Sequence, residues 1–436
     1  MISKTITYFP IKALLTFLIF TELLLFVGPV SYNLQYPFLL FIYLVIVNVA
    51  LYLGYRHGVK RYESKPKVKY NDIAIIKSFI ILALIIAPFN LVLHWGITSF
   101  NPSLILSKFI EGMTSPADVY TDNLIMMQNN SLGSFYTTIF IVLSPFSFAA
   151  IPLGINYWQR ISKKYRIGVI ILISIEIVYW IGIGTRKGLL DLLIIIAFMI
   201  IASNLYLLED KKKRKQLFII TGFFVSIFML YFVYSNLSRY NIKFEDLADI
   251  DVSNIYIDIK PFYEKYVPSI IYIPLLSISD YLCQGYYALS CALKISISDP
   301  VFTYGFGNNT FSMVMLDRFF GYTFDDQMAM TYQGALDRYY AINPTINWHS
   351  IYVWIANDFT FFGVPFIIYF IGSFLSTTWL DTVNKNNLYS APLFSFFAIM
   401  VFYFFANNQV LSSSFIAFVV ILILYIEHKK NIYIET

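Results

Sequence analysis

Charge is scarce in this 436-residue chain: Asp, Glu, Lys and Arg make up 13% of it, against about 25% in a soluble domain. With 58% hydrophobic residues, 19% aromatics and a mean hydropathy of +0.65, that scarcity excludes a soluble globular class and indicates an integral membrane protein. Cysteine is limited to Cys283 and Cys291. On one helix their eight-residue separation is roughly 12 Å, too far for a disulfide. Histidine is limited to His57, His94, His349 and His428. There is no Walker loop, Asp-x-Asp nucleotide-sugar signature, His-Glu-x-x-His or cysteine cluster, so no metal or other cofactor is expected. Asp325, Asp326 and Asp358 lack metal-ligand spacing. The first apolar run, Ile11 to Val30, is long enough to span and lacks the small-residue exit of a cleaved signal peptide. No internal repeat is evident, which argues against a transporter built from repeats.

What the chain does have is long apolar runs. A spanning helix needs about 20 mostly apolar residues. Ten segments qualify: 11–31, 36–55, 73–95, 135–157, 167–184, 188–208, 217–236, 351–380, 391–408 and 409–426. The expected fold is therefore an all-α polytopic membrane protein. Two pairs read as helical hairpins, one turning at Gly184-Thr185-Arg186-Lys187-Gly188, the other near Asn407-Asn408-Gln409. Alternating the loops places 21 of the 31 Lys and Arg on one side, including Arg56 to Lys69, Arg160 to Arg166 and Lys211 to Lys215. Cations mark the cytoplasmic side. Both termini are then expected in the cytoplasm, and the loops 96–134 and 238–347 outside. The basic loops read as topology determinants and lipid-headgroup contacts, not as a nucleic-acid site.

Three parts follow: residues 1–237 with seven spans, the large outer loop 238–347, and residues 348–436 with three more spans. Within the loop, 267–295 is apolar but interrupted by Pro268, Pro274 and Gly285. We expect interfacial or re-entrant helices there, because a pair of extra spans would need a cytoplasmic turn. No Lys or Arg lies between Val267 and Leu293 to mark one.

The candidate chemistry gathers at the outer surface. Arg186 and Lys187 stand beside the start of a helix, whose free N–H groups favour anions. Asp191, one turn on, can pair with Lys187. Arg239 follows the seventh span at a comparable depth and offers a bidentate fork for phosphate oxygens. His349 opens the eighth span and suits a general base near neutral pH. Asp280 competes for that role. Glu22 and Glu176 are mid-span acids, costly in hydrocarbon, and expected to turn inward to hydrogen-bond partners or a wet cavity.

The order of elements resembles the polymerases of O-antigen and related surface polysaccharides, the Wzy class of membrane glycosyltransferases. The resemblance rests on Gly184-Thr185-Arg186-Lys187-Gly188-Leu189-Leu190, on Ser279 to Ser290 with Tyr304-Gly305-Phe306-Gly307, and on Trp348-His349-Ser350-Ile351-Tyr352 running to Asp358. It departs where Thr-Arg-Lys replaces a common Ser-Arg-Gly turn and Gln-Gly-Tyr-Tyr-Ala-Leu replaces Gln-Gly-Tyr-Tyr-Gly-Leu. The resemblance implies a GT-C-like architecture in the bacterial inner membrane. It also implies undecaprenyl-diphosphate-linked oligosaccharides as substrates, joined on the periplasmic side, and a chain-length regulator as partner. It places Arg186, Arg239 and Lys187 on the donor diphosphate, and His349 or Asp280 on the acceptor hydroxyl. Tyr281, Gln284, Tyr287, Arg318 and Arg338 would then hold the glycan. An O-antigen ligase, which hands the same donor's glycan to lipid A core, and a lipid-linked oligosaccharide flippase are the rival expectations.

Overall fold

The computed structural model describes residues 3–62, 72–95, 101–128, 133–239, 258–344 and 346–434. Helix accounts for 82% of the structure, and no strand occurs among the described residues. The first half runs α1 (Lys4–Thr7), α2 (Phe9–Val27), α3 (Pro37–Arg61), α4 (Asp72–His94), α5 (Pro102–Thr114), α6 (Pro116–Gln128), α7 (Gly133–Asn156), α8 (Lys163–Gly182), α9 (Lys187–Ser203), α10 (Tyr206–Glu209) and α11 (Lys211–Arg239). The second half runs α12 (Pro261–Tyr266), α13 (Ser269–Ser298), α14 (Thr310–Phe320), α15 (Phe324–Ala329), α16 (Tyr332–Tyr340), α17 (Ile351–Asn384), α18 (Ser390–Phe402), α19 (Gln409–Ser413) and α20 (Phe415–Ile434).

Among the described residues, seven helices are long and apolar enough to cross a membrane: α2, α3, α4, α7, α8, α11 and α17. The chain is thus a polytopic, membrane-embedded helical protein. The other three expected spans are also helical, but shorter or divided. Helix α9 has 17 residues and α18 has 13, about 25 and 20 Å at 1.5 Å per residue, against a hydrocarbon core of about 30 Å. The expected span 409–426 is split between α19 and α20 at Ser414. The connection expected near Asn407 to Gln409 lies between a 3-10 turn at Tyr403–Phe405 and the start of α19 at Gln409.

Small residues bring α3 and α17 together. On α3, a Cβ added at Gly54 would lie 1.9 Å from the Tyr369 carbonyl oxygen, and one at Gly58 2.1 Å from Ser376 Oγ. On α17, the same addition at Gly372 would meet the Leu51 carbonyl at 2.3 Å. The spacing Gly54-x-x-x-Gly58 opposite Gly372-x-x-x-Ser376 is the small-residue pattern that lets helix backbones approach in apolar surroundings. At one end of this pair, Asp381 accepts the hydroxyls of Tyr62 at 2.9 Å and Tyr425 at 2.5 Å, tying α3, α17 and α20 together. Mid-helix, both carboxylate oxygens of Glu22 accept the Asn48 amide, at 2.7 and 2.9 Å. That is the inward hydrogen bond expected of a mid-span acid.

The segment 267–295 differs from its expected form. From Ser269 on it lies in one continuous 30-residue helix, α13, rather than in separate helices. Ser279, Cys283, Tyr286, Leu289 and Ser290 are buried against the rest of the bundle. Gly285 is a point of close approach: a Cβ there would lie 2.0 Å from the Phe405 carbonyl. The polar residues are turned inward, and Ser290 Oγ both accepts the Gln35 N–H at 2.6 Å and donates to the Gln35 carbonyl at 2.8 Å. The cysteines Cys283 and Cys291 both sit on this helix and are free. After α13 come three short helices, each opened by a side-chain cap from Asn309, Thr323 or Thr331.

Candidate functional site

The turn between α8 and α9 forms as its sequence suggests. Gly184 adopts φ +67°, a left-handed conformation that glycine takes at little cost. The turn puts Arg186 at the N-cap of α9 and Lys187 at its first position. The two cations then diverge. Arg186 is buried, with 5% of its surface exposed. Its guanidinium donates to the Asn236 side chain of α11 and lies 5.1 Å from the centre of the Phe232 ring. Lys187 instead pairs with Asp191 at 3.6 Å, the contact expected of residues one turn apart, and faces a cavity.

The cavity encloses about 650 Å³ and has walls from α4, α6, α7, α8, α9, α14, α19 and α20. Five of its lining residues carry ionisable side chains: His94, Glu176, Tyr179, Lys187 and Asp191. Glu176 accepts the Trp180 indole N–H at 3.0 Å, and no cation lies within 4 Å of its carboxylate among the described residues. The imidazole of His94 stands edge-on to Tyr179, ring centres 5.7 Å apart, and its Nδ1 is 2.9 Å from the Asn90 carbonyl. Asn90, Asn123, Ser144 and Ser147 add neutral hydrogen-bonding groups, while Phe140, Phe148 and Trp180 supply apolar and aromatic wall. A pocket mixing amides, hydroxyls, aromatic faces and a few charges suits a polar organic ligand better than lipid tails alone.

The other residues singled out by sequence fall into separate groups. Tyr281 stacks edge-on against Phe232 at 4.9 Å and against Trp348 at 5.5 Å, so it stands in one aromatic chain with Arg186. Gln284 accepts the Trp348 backbone N–H at 2.8 Å. On α13, one turn to either side of Gln284, Asp280 accepts the Tyr32 hydroxyl at 3.2 Å and the Tyr287 ring stacks on Tyr32 at 5.3 Å. His349 is only 1% exposed, and burial lowers its pKa to about 4. It was expected at a water-exposed cleft; it is enclosed by protein and does not line the cavity. Arg318 is exposed in the last turn of α14, and the exposed Arg338 donates to the Ala329 carbonyl at 2.7 Å, a local tether. The Arg239 side chain lies outside the described residues.

Sequence reasoning therefore found Lys187 and Asp191 but not the space they face. Glu176 carried a signal, being an acid in a spanning helix. His94 and Asn123 carried none, because they come from distant segments with no motif around them. No protein-family model, curated protein or solved structure matches this chain.

Proposed function

We propose that this protein is a membrane glycosyltransferase that polymerises lipid-diphosphate-linked oligosaccharide units, as the resemblance to the O-antigen polymerases implies. The observation that carries the reading is the cavity: a lysine at a helix start, two carboxylates and an imidazole converge on one space of about 650 Å³ in an otherwise apolar bundle. Glycosyl transfer from a diphosphate needs the leaving charge neutralised and the acceptor hydroxyl placed beside the anomeric carbon. Lys187, with the free N–H groups of the first turn of α9 behind it, suits the diphosphate. Arg186, bound to Asn236 and Phe232, anchors the start of that helix to α11. The cation count of the loops supports a cavity opening on the periplasmic side, where donor and acceptor would both arrive on undecaprenyl diphosphate. Asp280, His349, Tyr281, Gln284 and Tyr287 then belong to the helix and aromatic framework around the site.

Deleting the protein and resolving the host's surface glycans on a gel tests this reading. Lipid A core capped by a single repeat is the expected result. Uncapped core with accumulated lipid-linked polymer would make the protein a ligase. Repeats trapped on the cytoplasmic leaflet would make it a flippase. In a complemented strain, Lys187→Ala, Arg186→Ala and Arg239→Ala each shorten or abolish the polymer while the protein remains inserted. Wild-type glycan lengths from all three would sink the diphosphate assignment.

A further inference from the structure

We propose that His94 is the catalytic base of this transfer, taking the proton of the acceptor hydroxyl through its Nε2 in the cavity between α4, α7, α8 and α9. The inference deepens the glycosyltransferase reading and rests on it.

Tautomer geometry is the first argument. The Asn90 carbonyl, 2.9 Å from His94 Nδ1, can only accept a hydrogen bond, so Nδ1 carries the hydrogen. In a neutral imidazole the lone pair then belongs to Nε2. The ring is held on its other sides by Tyr179 at 5.7 Å and Phe140 at 6.0 Å between centres. A neutral imidazole with a fixed tautomer, held by packing and bordering a cavity, is the arrangement that general-base catalysis by histidine requires.

Placement is the second argument. His349 has the same chemistry but is 1% exposed and outside the cavity, so no acceptor reaches it without the protein opening. The cavity beside His94 is also equipped for a sugar. Asn123, from α6, is 6% exposed and lines the cavity. Its amide has both donor and acceptor atoms, the pair that a sugar hydroxyl matches. The ionisable groups facing the same space are Glu176 and Tyr179 from α8 and Lys187 and Asp191 from α9; α6 and α7 contribute none to the lining. Lys187 and Asp191 are engaged with each other at 3.6 Å, which leaves His94 and Glu176 as the available proton acceptors.

In the step, the acceptor oxygen forms a bond to the donor's anomeric carbon. The bond from that carbon to the diphosphate oxygen breaks, and its electron pair leaves with the diphosphate beside Lys187. The hydroxyl proton moves to Nε2, and the imidazolium returns it to water through the cavity. Glu176, which lines the same cavity, stabilises the transient positive charge.

The test uses purified full-length protein in lipid nanodiscs, supplied with an undecaprenyl-diphosphate-linked oligosaccharide and followed by gel under single-turnover and steady-state conditions. His94→Gln is expected to lower kcat by about 10²- to 10⁴-fold, the usual worth of general-base catalysis, with KM changed by less than about threefold. Exogenous imidazole is expected to restore part of the rate to His94→Ala. Wild type is expected to lose activity as one proton is added below pH 6.5, and the variants are expected to lack that limb. A wild-type rate that stays flat from pH 8 to pH 4 overturns the assignment without any variant being folded. So does wild-type kcat in His94→Gln, or loss of activity in Glu176→Gln with His94→Gln unaffected. Wild-type protein that makes no polymer overturns the parent reading, and His94 as its base falls with it.

Discussion

The backbone N–H of Gly305 donates to Oδ1 of Asp358 at 2.7 Å, fastening the Tyr304–Gly307 turn to the start of α17. The same oxygen accepts the Thr303 hydroxyl at 2.5 Å and, more loosely, the Gly307 N–H at 3.4 Å. Beside it, the Asn357 amide donates to the Gly307 carbonyl at 2.8 Å and to Gln333 at 2.9 Å. Two adjacent side chains thus fix the loop that follows α13 and the start of α16. Removing the Asp358 carboxylate leaves the buried Thr303 hydroxyl and Gly307 N–H and the more exposed Gly305 N–H unanswered, so Asp358→Ala is expected to destabilise the protein by about 3 kcal/mol. Asp358→Asn keeps an acceptor oxygen and should lose less than half of that. Denaturant titration in detergent measures both; equal stability of wild type and Asp358→Ala would show that the turn is held by something else.

Two residues on, the chain is strained. Thr360 has φ 55° and ψ 166° inside α17, a region that β-branched residues almost never occupy. The break bends α17, so that its first turns hold the Thr303–Gly307 turn while the remainder packs on α3. Such a conformation costs about 1–3 kcal/mol and persists only when the surroundings impose it. Thr360→Gly should therefore raise stability by about 1 kcal/mol, the Cβ clash being gone while the bend stays. A melting temperature that falls in Thr360→Gly would mean that the threonine side chain contributes more than its backbone strain costs.

Helix contact between α3 and α17 makes a third prediction. A methyl group at Gly54 would sit 1.9 Å from the Tyr369 carbonyl oxygen, and backbone cannot yield as a side chain can. Gly54→Ala is expected to cost at least about 2 kcal/mol, as overpacked cores do, and Gly54→Leu to prevent correct assembly. Exposed Gly222 on α11, where an added Cβ meets nothing within 4 Å, is the control. Gly222→Ala should be neutral or slightly stabilising, since alanine is the better helix former.

The spanning helices were legible because each is an apolar run that must satisfy its own backbone, a purely local requirement. Helix α13 was misjudged for a related reason: Pro274 and Gly285 look like interruptions when read locally. Pro274 sits near the start of the helix, and Gly285 is there to let Phe405 approach, a contact more than 100 residues away in sequence. Helices α5 and α6 did leave a signal that went unused. Asn101 caps α5 ahead of Pro102, and Pro116 opens α6, the preferred residues for those positions. The cavity left almost none. His94, Asn123, Glu176 and Lys187 come from four helices, and no spacing rule links them; only folding brings them to one wall.

His349 yields a pH prediction whose sign follows from its burial. Above pH 6.5 the imidazole is neutral in both folded and unfolded chains and contributes nothing to the pH dependence. Between pH 6.5 and 4 the unfolded chain binds a proton, whereas the folded chain, with the pKa lowered to about 4, does not. Stability therefore falls as the pH drops through this window and levels off below it. The full loss is about 3 kcal/mol, from roughly 2.5 pKa units at 1.36 kcal/mol each. The test compares unfolding of wild type and His349→Gln in the same detergent at steps from pH 7.5 to pH 4. Wild type should lose the larger share of its stability between pH 6.5 and 4, and the variant's curve should be flatter by about 3 kcal/mol over that range. Parallel curves would mean that His349 takes up its proton in the folded protein, which requires water to reach a side chain that is only 1% exposed.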